Sequence, residues 1–170
     1  MTGTIVWFTG LPASGKSTLA ERTRGHLKSV GCAAVVLDGD AVRVVLGAGG
    51  YGTGDRDAFY RTLADLAALL AHQDMIVLVA ATAPRRVHRA FARQTGCRFV
   101  EVWVRASQAD CEARDYKGLY ARARRGEITA LPGLGVPYEP PEHADVIAAG
   151  GMDDDAVAAI TQLVDASVAA

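Results

Sequence analysis

Apolar positions along this chain alternate between two rhythms. Short runs of continuous hydrophobic residues are separated by stretches with apolar residues at every third or fourth position. Thr4–Phe8 is β-branched and apolar and predicts a first strand. Lys16–Val30 carries Leu19, Ala20 and Leu27 on one side, with Gly31 as a stop, and predicts a helix. Ala33–Leu37 predicts strand two, Ala41–Leu46 a short helix, and glycine-rich Gly47–Gly54 a loop. Arg56–Gln73 places Leu63, Leu66, Ala67, Leu69 and Leu70 at helical spacing. Met75–Ala80 is apolar throughout, as a strand buried on both faces must be. Pro84 opens a helix reaching about Thr95, Phe99–Val104 predicts strand four, and Gln108–Arg114 another helix. Asp115–Pro141 breaks the rhythm, being charged first and then rich in glycine and proline. Val146–Ala149 predicts a short fifth strand and Asp153–Ala170 a closing helix.

Alternating strands and helices predict an α/β fold, a parallel sheet with helices on both faces. Ligands of such sheets bind at the carboxyl ends of the strands. The 170 residues suggest one domain, 1–170, with no internal repeat and no linker. Residues 115–141 are too long for an ordinary connection, and a lid is the expectation rather than an idle loop. Hydrophobic residues make up 50% and charged residues 22%, so a globular core is expected. A net charge of −1 supplies no basic field for nucleic acid or an anionic membrane. The longest apolar runs fall far short of a membrane span. Met1-Thr2-Gly3-Thr4 enters strand one at once, which leaves no room for a signal peptide. Cys32, Cys97 and Cys111 lack C-x-x-C spacing and are expected as reduced, buried packing residues of a cytoplasmic protein. His26, His72, His88 and His143 have no metal-ligand spacing and are expected in surface or packing roles.

Gly10-Leu11-Pro12-Ala13-Ser14-Gly15-Lys16-Ser17 fits G-x-x-x-x-G-K-[ST] between a strand and a helix. In that context backbone N–H groups wrap phosphates, Lys16 reaches the β- and γ-phosphates, and the Ser17 hydroxyl ligates Mg²⁺. The helix dipole adds positive potential there. A nucleoside triphosphate is the expected ligand. No N-K-x-D guanine-reading motif occurs, and strand three lacks the terminal acid with which ATPases activate water. Carboxylates stand instead after strand two, as Asp38 and Asp40. Such a carboxylate can take a proton from an acceptor hydroxyl or hold Mg²⁺ through water, and it can equally cap the next helix. The first use favours transfer to a small molecule over hydrolysis. Candidate cations for the moving phosphate are Arg43, Arg56, Arg61, Lys117, Arg122, Arg124 and Arg125, with Arg43 best placed, one helical turn beyond Asp40.

Over nearly its whole length the chain resembles the adenylyl-sulfate (APS) kinases. The matches are Gly10–Thr18, Leu37-Asp38-Gly39-Asp40 with Arg43, Asp55-Arg56, Cys111-Glu112-Ala113-Arg114-Asp115, Lys117-Gly118-Leu119-Tyr120, Gly126-Glu127 and Pro137-Tyr138-Glu139. The resemblance implies a three-layer P-loop kinase fold with a five-stranded parallel sheet, Mg²⁺, and commonly a homodimer. It implies that ATP phosphorylates the 3′-hydroxyl of adenylyl sulfate, giving 3′-phosphoadenylyl sulfate. By position, Asp38 resembles the general base or Mg²⁺-organising carboxylate, with Asp40 beside it. Arg43 and Arg56 resemble acceptor-binding arginines, Tyr51 an aromatic that stacks on the acceptor's adenine, and Lys117, Gly118 and Leu119 the lid's acceptor contacts. Arg114 resembles a residue packed on the ATP base, and Gly10, Ala13, Ser14, Gly15, Lys16, Ser17 and Thr18 form the phosphate loop. The departures cluster on the acceptor side. Where the family reads D-R-x-E-N-x-R-R, this chain has Asp55-Arg56-Asp57-Ala58-Phe59-Tyr60-Arg61-Thr62, so Phe59 stands for an acceptor-contacting asparagine. Ala81-Thr82-Ala83-Pro84 replaces F-I-S-P, Leu131 replaces a lid phenylalanine, and Ala41 an asparagine. These changes motivate an alternative acceptor, such as a cytidine diphosphate derivative.

Overall fold

Strand β1 (Thr4–Thr9) lies at the centre of the sheet, and all of its residues are buried. Its pleat sends Ile5 and Trp7 to one face and Val6 and Phe8 to the other. The structure, a computed structural model, describes residues 3–165. Strands β2 (Ala34–Asp38), β3 (Ile76–Ala80), β4 (Arg98–Val104) and β5 (Val146–Ala148) join β1 in the order β2-β3-β1-β4-β5, and every pairing is parallel. Ala80 pairs with both Phe8 and Asp38. The carboxyl ends of β1, β2 and β3 therefore finish level with one another, and that rim carries the site.

Helices α1 (Lys16–Ser29) and α7 (Asp154–Asp165) cover one face, where Leu19, Leu27, Val157 and Ile160 meet Val6, Phe8 and Leu78. Helices α2 (Gly39–Leu46), α3 (Thr53–Ala71) and α4 (Arg86–Arg93) cover the other, where Val42, Leu63, Ala67 and Ala92 meet Ile5, Trp7 and Val79. This is the three-layer α/β arrangement expected of the alternating pattern. Each fully buried large side chain contributes about 2 kcal/mol. A third cluster of Cys111, Tyr120 and Leu131 joins α5 (Gln108–Arg114), α6 (Leu119–Arg124) and the 125–141 segment to Leu11 and Ala13 of the phosphate loop.

Several boundaries differ from the hydrophobic pattern, three through a carboxylate contact and one through a backbone bend. Helix α2 starts at Gly39 rather than Ala41, because Asp38 accepts hydrogen bonds from the Asp40 and Ala41 amides. Helix α3 starts at Thr53 inside the expected loop, because the Asp55 carboxylate folds back to accept from the Gly52 amide. Helix α4 starts at Arg86 rather than Pro84, because Ala83 takes a left-handed φ of 43°. Helix α6 interrupts the segment with little periodicity. Asp115 accepts from the Tyr120 and Ala121 amides and Gly118 caps the helix at φ 63°, so local capping substitutes for an apolar stripe. The end expected at Ala170 lies outside the described residues.

Cys111 is buried as expected, whereas Cys32 and Cys97 are only half-buried. Cys97 Sγ lies 3.7 Å from His72 Nε2. His88 is a packing residue, fully buried and stacked on Tyr60 with ring centroids 4.5 Å apart. Burial lowers its pKa against the opposing pull of Asp57. Its Nδ1 accepts from the Arg85 amide at 3.4 Å, so the neutral ring donates from Nε2 to Asp57 Oδ1 at 2.7 Å. Among the described residues no helix is long and apolar enough to cross a membrane.

Candidate active site

The loop between β1 and α1 is bent so that its groups face inward. Gly15, at φ 102°, caps α1, and Ala13 holds φ 60°. A Cβ at Gly10 would stand 2.6 Å from the Val104 carbonyl oxygen, so only glycine fits between β1 and β4. The Ser14 hydroxyl is fully buried without a hydrogen-bond partner, and an anion seated in the loop would satisfy it. Lys16 Nζ donates to the Leu11 carbonyl at 2.8 Å across the loop. Burial pulls its pKa down to about 8, with Asp40, Cys111 and Asp38 opposing. The ammonium is thus held over the loop with little solvation, ready to exchange a carbonyl for phosphate oxygens.

On the other side of the loop, Ser17 donates to Asp38 Oδ2 while Asp38 Oδ1 caps α2. The two readings of Asp38 are compatible, since one oxygen caps and the other reaches the phosphate loop. Ser17 and Asp38 together offer two adjacent oxygens. Mg²⁺ suits such a pair, because it keeps waters and phosphate oxygens for its remaining positions. Asp40 points away from this pair and accepts from Lys117, which raises the Lys117 pKa. Lys117 precedes Gly118 and Leu119 at the start of α6, so the ion pair brings that end of the 115–141 segment to the carboxyl end of β2.

Arg43 and Arg56 sit behind this edge, each 8% exposed. Arg43 donates to the Ala48 and Gly50 carbonyls at 3.1 and 3.2 Å. Its guanidinium lies 3.8 Å from the Phe59 ring centroid and 4.6 Å from that of Tyr51. Arg56 donates to the Ala130 carbonyl and stands 6.0 Å from Tyr51. Burial lowers the Arg56 pKa and Arg43 adds to the effect. Among the described residues no carboxylate pairs with either arginine. Two buried cations 13 positions apart, held by carbonyls and rings, leave positive charge available to an anion. Phe59 is 4% exposed and bears on this site through the Arg43 guanidinium. Of the seven candidate cations, Arg43, Arg56 and Lys117 converge. Arg61 instead stacks on Phe91, Arg124 pairs with Glu112, and Arg122 and Arg125 pair with Glu127.

The chain matches the family described as adenylylsulphate kinase over residues 2–149. It belongs to the adenylylsulphate kinase family. It is 48% identical over 147 residues to the adenylyl-sulfate kinase of Paraburkholderia xenovorans, covering 85% of this chain and 82% of that one. It is 43% identical over 145 residues to the enzyme of Picosynechococcus, at 85% and 82% coverage. The structure superposes on the APS kinase of Mycobacterium tuberculosis in complex with AMPPNP and APS with a TM-score of 0.86, at 40% identity and 99% coverage of both chains.

In this member of the adenylylsulphate kinase family, further residues pack around the phosphate loop and the carboxyl rim of the sheet. Gly150 and Gly151, between β5 and α7, press on the phosphate loop. A Cβ at Gly15 would meet the Gly151 nitrogen at 2.5 Å, and one at Gly151 would meet Thr18 Cβ at 2.8 Å. A Cβ at Gly150 would stand 3.9 Å from Arg114 Nη1, so the Arg114 guanidinium reaches from α5 to this glycine pair. The Tyr120 hydroxyl donates to the Pro12 carbonyl at 2.9 Å, tying α6 to the phosphate loop. Thr9, the last residue of β1, donates to the Thr82 carbonyl at 2.7 Å and so accepts from the Tyr138 hydroxyl at 3.0 Å. Burial pushes the Tyr138 pKa up to about 12. Arg89, buried on α4, had no local signal, since it falls among Arg85, Arg86 and Arg93 in a strongly basic stretch.

Proposed function

We propose that this protein transfers the γ-phosphoryl group of ATP to the 3′-hydroxyl of adenylyl sulfate, giving 3′-phosphoadenylyl sulfate and ADP. The observation that carries this reading is the position of Asp38. Its carboxylate meets the phosphate loop through Ser17 and caps α2, the helix that carries the buried Arg43. Gly10, Ala13, Ser14, Gly15, Lys16, Ser17 and Thr18 hold the triphosphate, with Arg114 against its base. Arg43 and Arg56 hold the anionic end of the acceptor, Tyr51 stacks on its adenine, and Asp40, Phe59, Lys117, Gly118 and Leu119 complete its surroundings. Mg²⁺ would be held by Ser17 and by Asp38, directly or through water, and supplies neutralisation of charge on the phosphates. Asp38 accepts the proton of the 3′-hydroxyl, the freed oxygen forms the new P–O bond, and the bond to the β-phosphate oxygen breaks, releasing ADP. Lys16 leaves the Leu11 carbonyl and follows the charge that builds on the departing oxygens.

Residues 115–141 act as a lid within a single domain of residues 1–170. Its contacts reach both sides of the site, through Tyr120 to Pro12 and through Lys117 to Asp40. Closure excludes water, which keeps phosphate on the acceptor rather than lost to hydrolysis. The family resemblance supports a homodimer, which light scattering on the purified protein measures, and a cytoplasmic location suits an enzyme that takes its phosphoryl group from ATP. The decisive assay offers ATP and Mg²⁺ with adenylyl sulfate, a cytidine diphosphate derivative, other nucleotides or no acceptor, and follows ADP release. Turnover confined to adenylyl sulfate supports the reading. Turnover with another nucleotide and none with adenylyl sulfate overturns it.

A further inference from the structure

Three consecutive carbonyls after β3, those of Thr82, Ala83 and Pro84, each accept a hydrogen bond from a different part of the chain. Thr82 accepts from Thr9 at the end of β1, Ala83 from Arg89 Nη1 on α4 at 2.7 Å, and Pro84 from the Glu139 amide at 2.7 Å. Arg89 is the centre of this arrangement. It is 3% exposed, its Nη2 donates to the Glu139 carbonyl at 2.7 Å, and its Nε donates to Glu101 Oε1 on β4 at 2.7 Å. Glu101 is itself buried and takes a further bond from Arg93 at 3.1 Å. The carboxylate of Glu139 accepts from the Arg86 amide at the start of α4. The far end of the 115–141 segment is therefore bound to the 82–84 loop directly, through the Glu139 amide, and indirectly, through Arg89, which bridges the Glu139 and Ala83 carbonyls.

Glu101 neutralises Arg89 locally, so the pair offers no free charge to a ligand. Its distinctive effect is geometric, since a guanidinium is a planar fork that can fix three acceptors at once. What it fixes is a strained turn. Ala83 is fully buried with a left-handed φ of 43°, a conformation that costs free energy and persists only when its surroundings over-determine it. The turn begins at Ala81, whose Cβ would lie 3.1 Å from a Cβ placed on Gly39, between Asp38 and Asp40. Ala81 and the 82–84 loop that follows it therefore form a wall that starts beside Gly39, between Asp38 and Asp40. The segment's contact with the phosphate loop, through Tyr120 and Pro12, is separate and does not involve Arg89.

We propose that Arg89 is a positioning residue for the acceptor. It locks the wall after β3 to the Tyr138–Glu139 end of the 115–141 segment, so that the two hold one geometry around the acceptor. The word acceptor here rests on the kinase reading above. Arg89→Lys keeps the charge opposite Glu101 but cannot reach three acceptors. The expected result is a rise of about tenfold in the acceptor KM, with kcat and the ATP KM within about twofold. Tyr138→Phe removes the bond to Thr9 and is expected to raise the acceptor KM about threefold. The double variant is expected to show less than the product of the two, because both act on one unit. Hydrogen exchange provides a readout independent of turnover. The Glu139 and Arg86 amides lose protection in Arg89→Lys, while the Leu19 amide, bonded to Gly15 in α1, keeps it. Equal rises in both KM values, or a lower thermal midpoint with every KM and both amides unchanged, overturn the proposal. Should Arg89→Lys not fold, Tyr138→Phe decides by the same split, and an unchanged acceptor KM there overturns it. Should the wild-type protein fail to use adenylyl sulfate, the kinase reading falls while the exchange result still decides the anchor.

Discussion

The two sides of the site are built from different materials. The side that faces ATP is mostly backbone: glycines at Gly10 and Gly15, a loop bent at Ala13, and the amide end of α1. The acceptor side is mostly side chains, with Arg43 and Arg56 braced by carbonyls, Tyr51 and Phe59 drawn from three separate stretches. Backbone geometry is written in consecutive residues, so it tolerates little change and shows as a motif. A pocket of braced side chains can exchange one brace for another. Phe59 illustrates this, since an aromatic ring at 3.8 Å supports Arg43 where the family places an asparagine. Phe59 offers no polar group at that position, while both guanidinium groups stay buried without a carboxylate partner among the described residues.

Removing the one side chain that does most on the ATP side should give the largest effect. Lys16→Met is expected to lower turnover by about 10³-fold in an ADP-release assay. A loss below tenfold would sharpen the comparison to its limit, because backbone alone would then suffice on that side. Asp38→Asn comes next, with a fall of about 10²-fold or more in kcat and ATP affinity within threefold. Asparagine keeps the cap on α2, whereas Asp38→Ala adds a stability loss of about 1 kcal/mol, read as a lower thermal midpoint. Arg56→Lys addresses the acceptor side and should raise the acceptor KM about 30-fold with the ATP KM unchanged, since a buried charged contact is worth about 2 kcal/mol. Phe59→Leu removes the ring beneath Arg43 and should raise the acceptor KM about fivefold, in keeping with a cation–π contact of about 1 kcal/mol.

The smallest effect is a fractional proton. Lys16 titrates near 8 in the folded protein against 10.5 when unperturbed. Phosphate favours the cation, so ATP binding at pH 8.5 should take up part of a proton, measurable by calorimetry in buffers of different ionisation enthalpy. The same shift has a consequence for stability. Between pH 8 and 10.5 the unfolded chain binds more protons at this site, so this contribution to stability rises with pH across that window. Release of protons on ATP binding would show that Lys16 is not the titrating contact.

Much of the fold was legible because its strands are apolar to a degree only a buried sheet explains. Met75–Ala80 and Thr4–Phe8 announce themselves without reference to anything distant. The boundaries were less legible wherever a carboxylate set them, as Asp38 does for α2, Asp55 for α3 and Asp115 for α6. The cations show the same limit more sharply. Arg61, Arg89 and Arg124 look alike in one dimension, and Arg43 stands apart only by its spacing from Asp40 and its motif. Only packing separates a guanidinium stacked on Phe91 from one buried against Glu101 and one paired on the surface with Glu112.

What the sequence determined by itself is the alternation of strands and helices, the phosphate loop, and the two aspartates that follow β2. These depend on neighbours within a few residues, where chain geometry leaves few choices. The tertiary structure alone decided that Arg61, Arg122, Arg124 and Arg125 turn to other partners, that Asp38 both caps α2 and meets Ser17, and that Arg89 binds the wall after β3 to Glu139. The contacts that join the site and its surroundings reach from 21 to 77 positions along the chain. Charge and hydrogen-bond capacity are carried by the residue, but the partner that uses them is assigned only when the sheet brings distant loops to one edge.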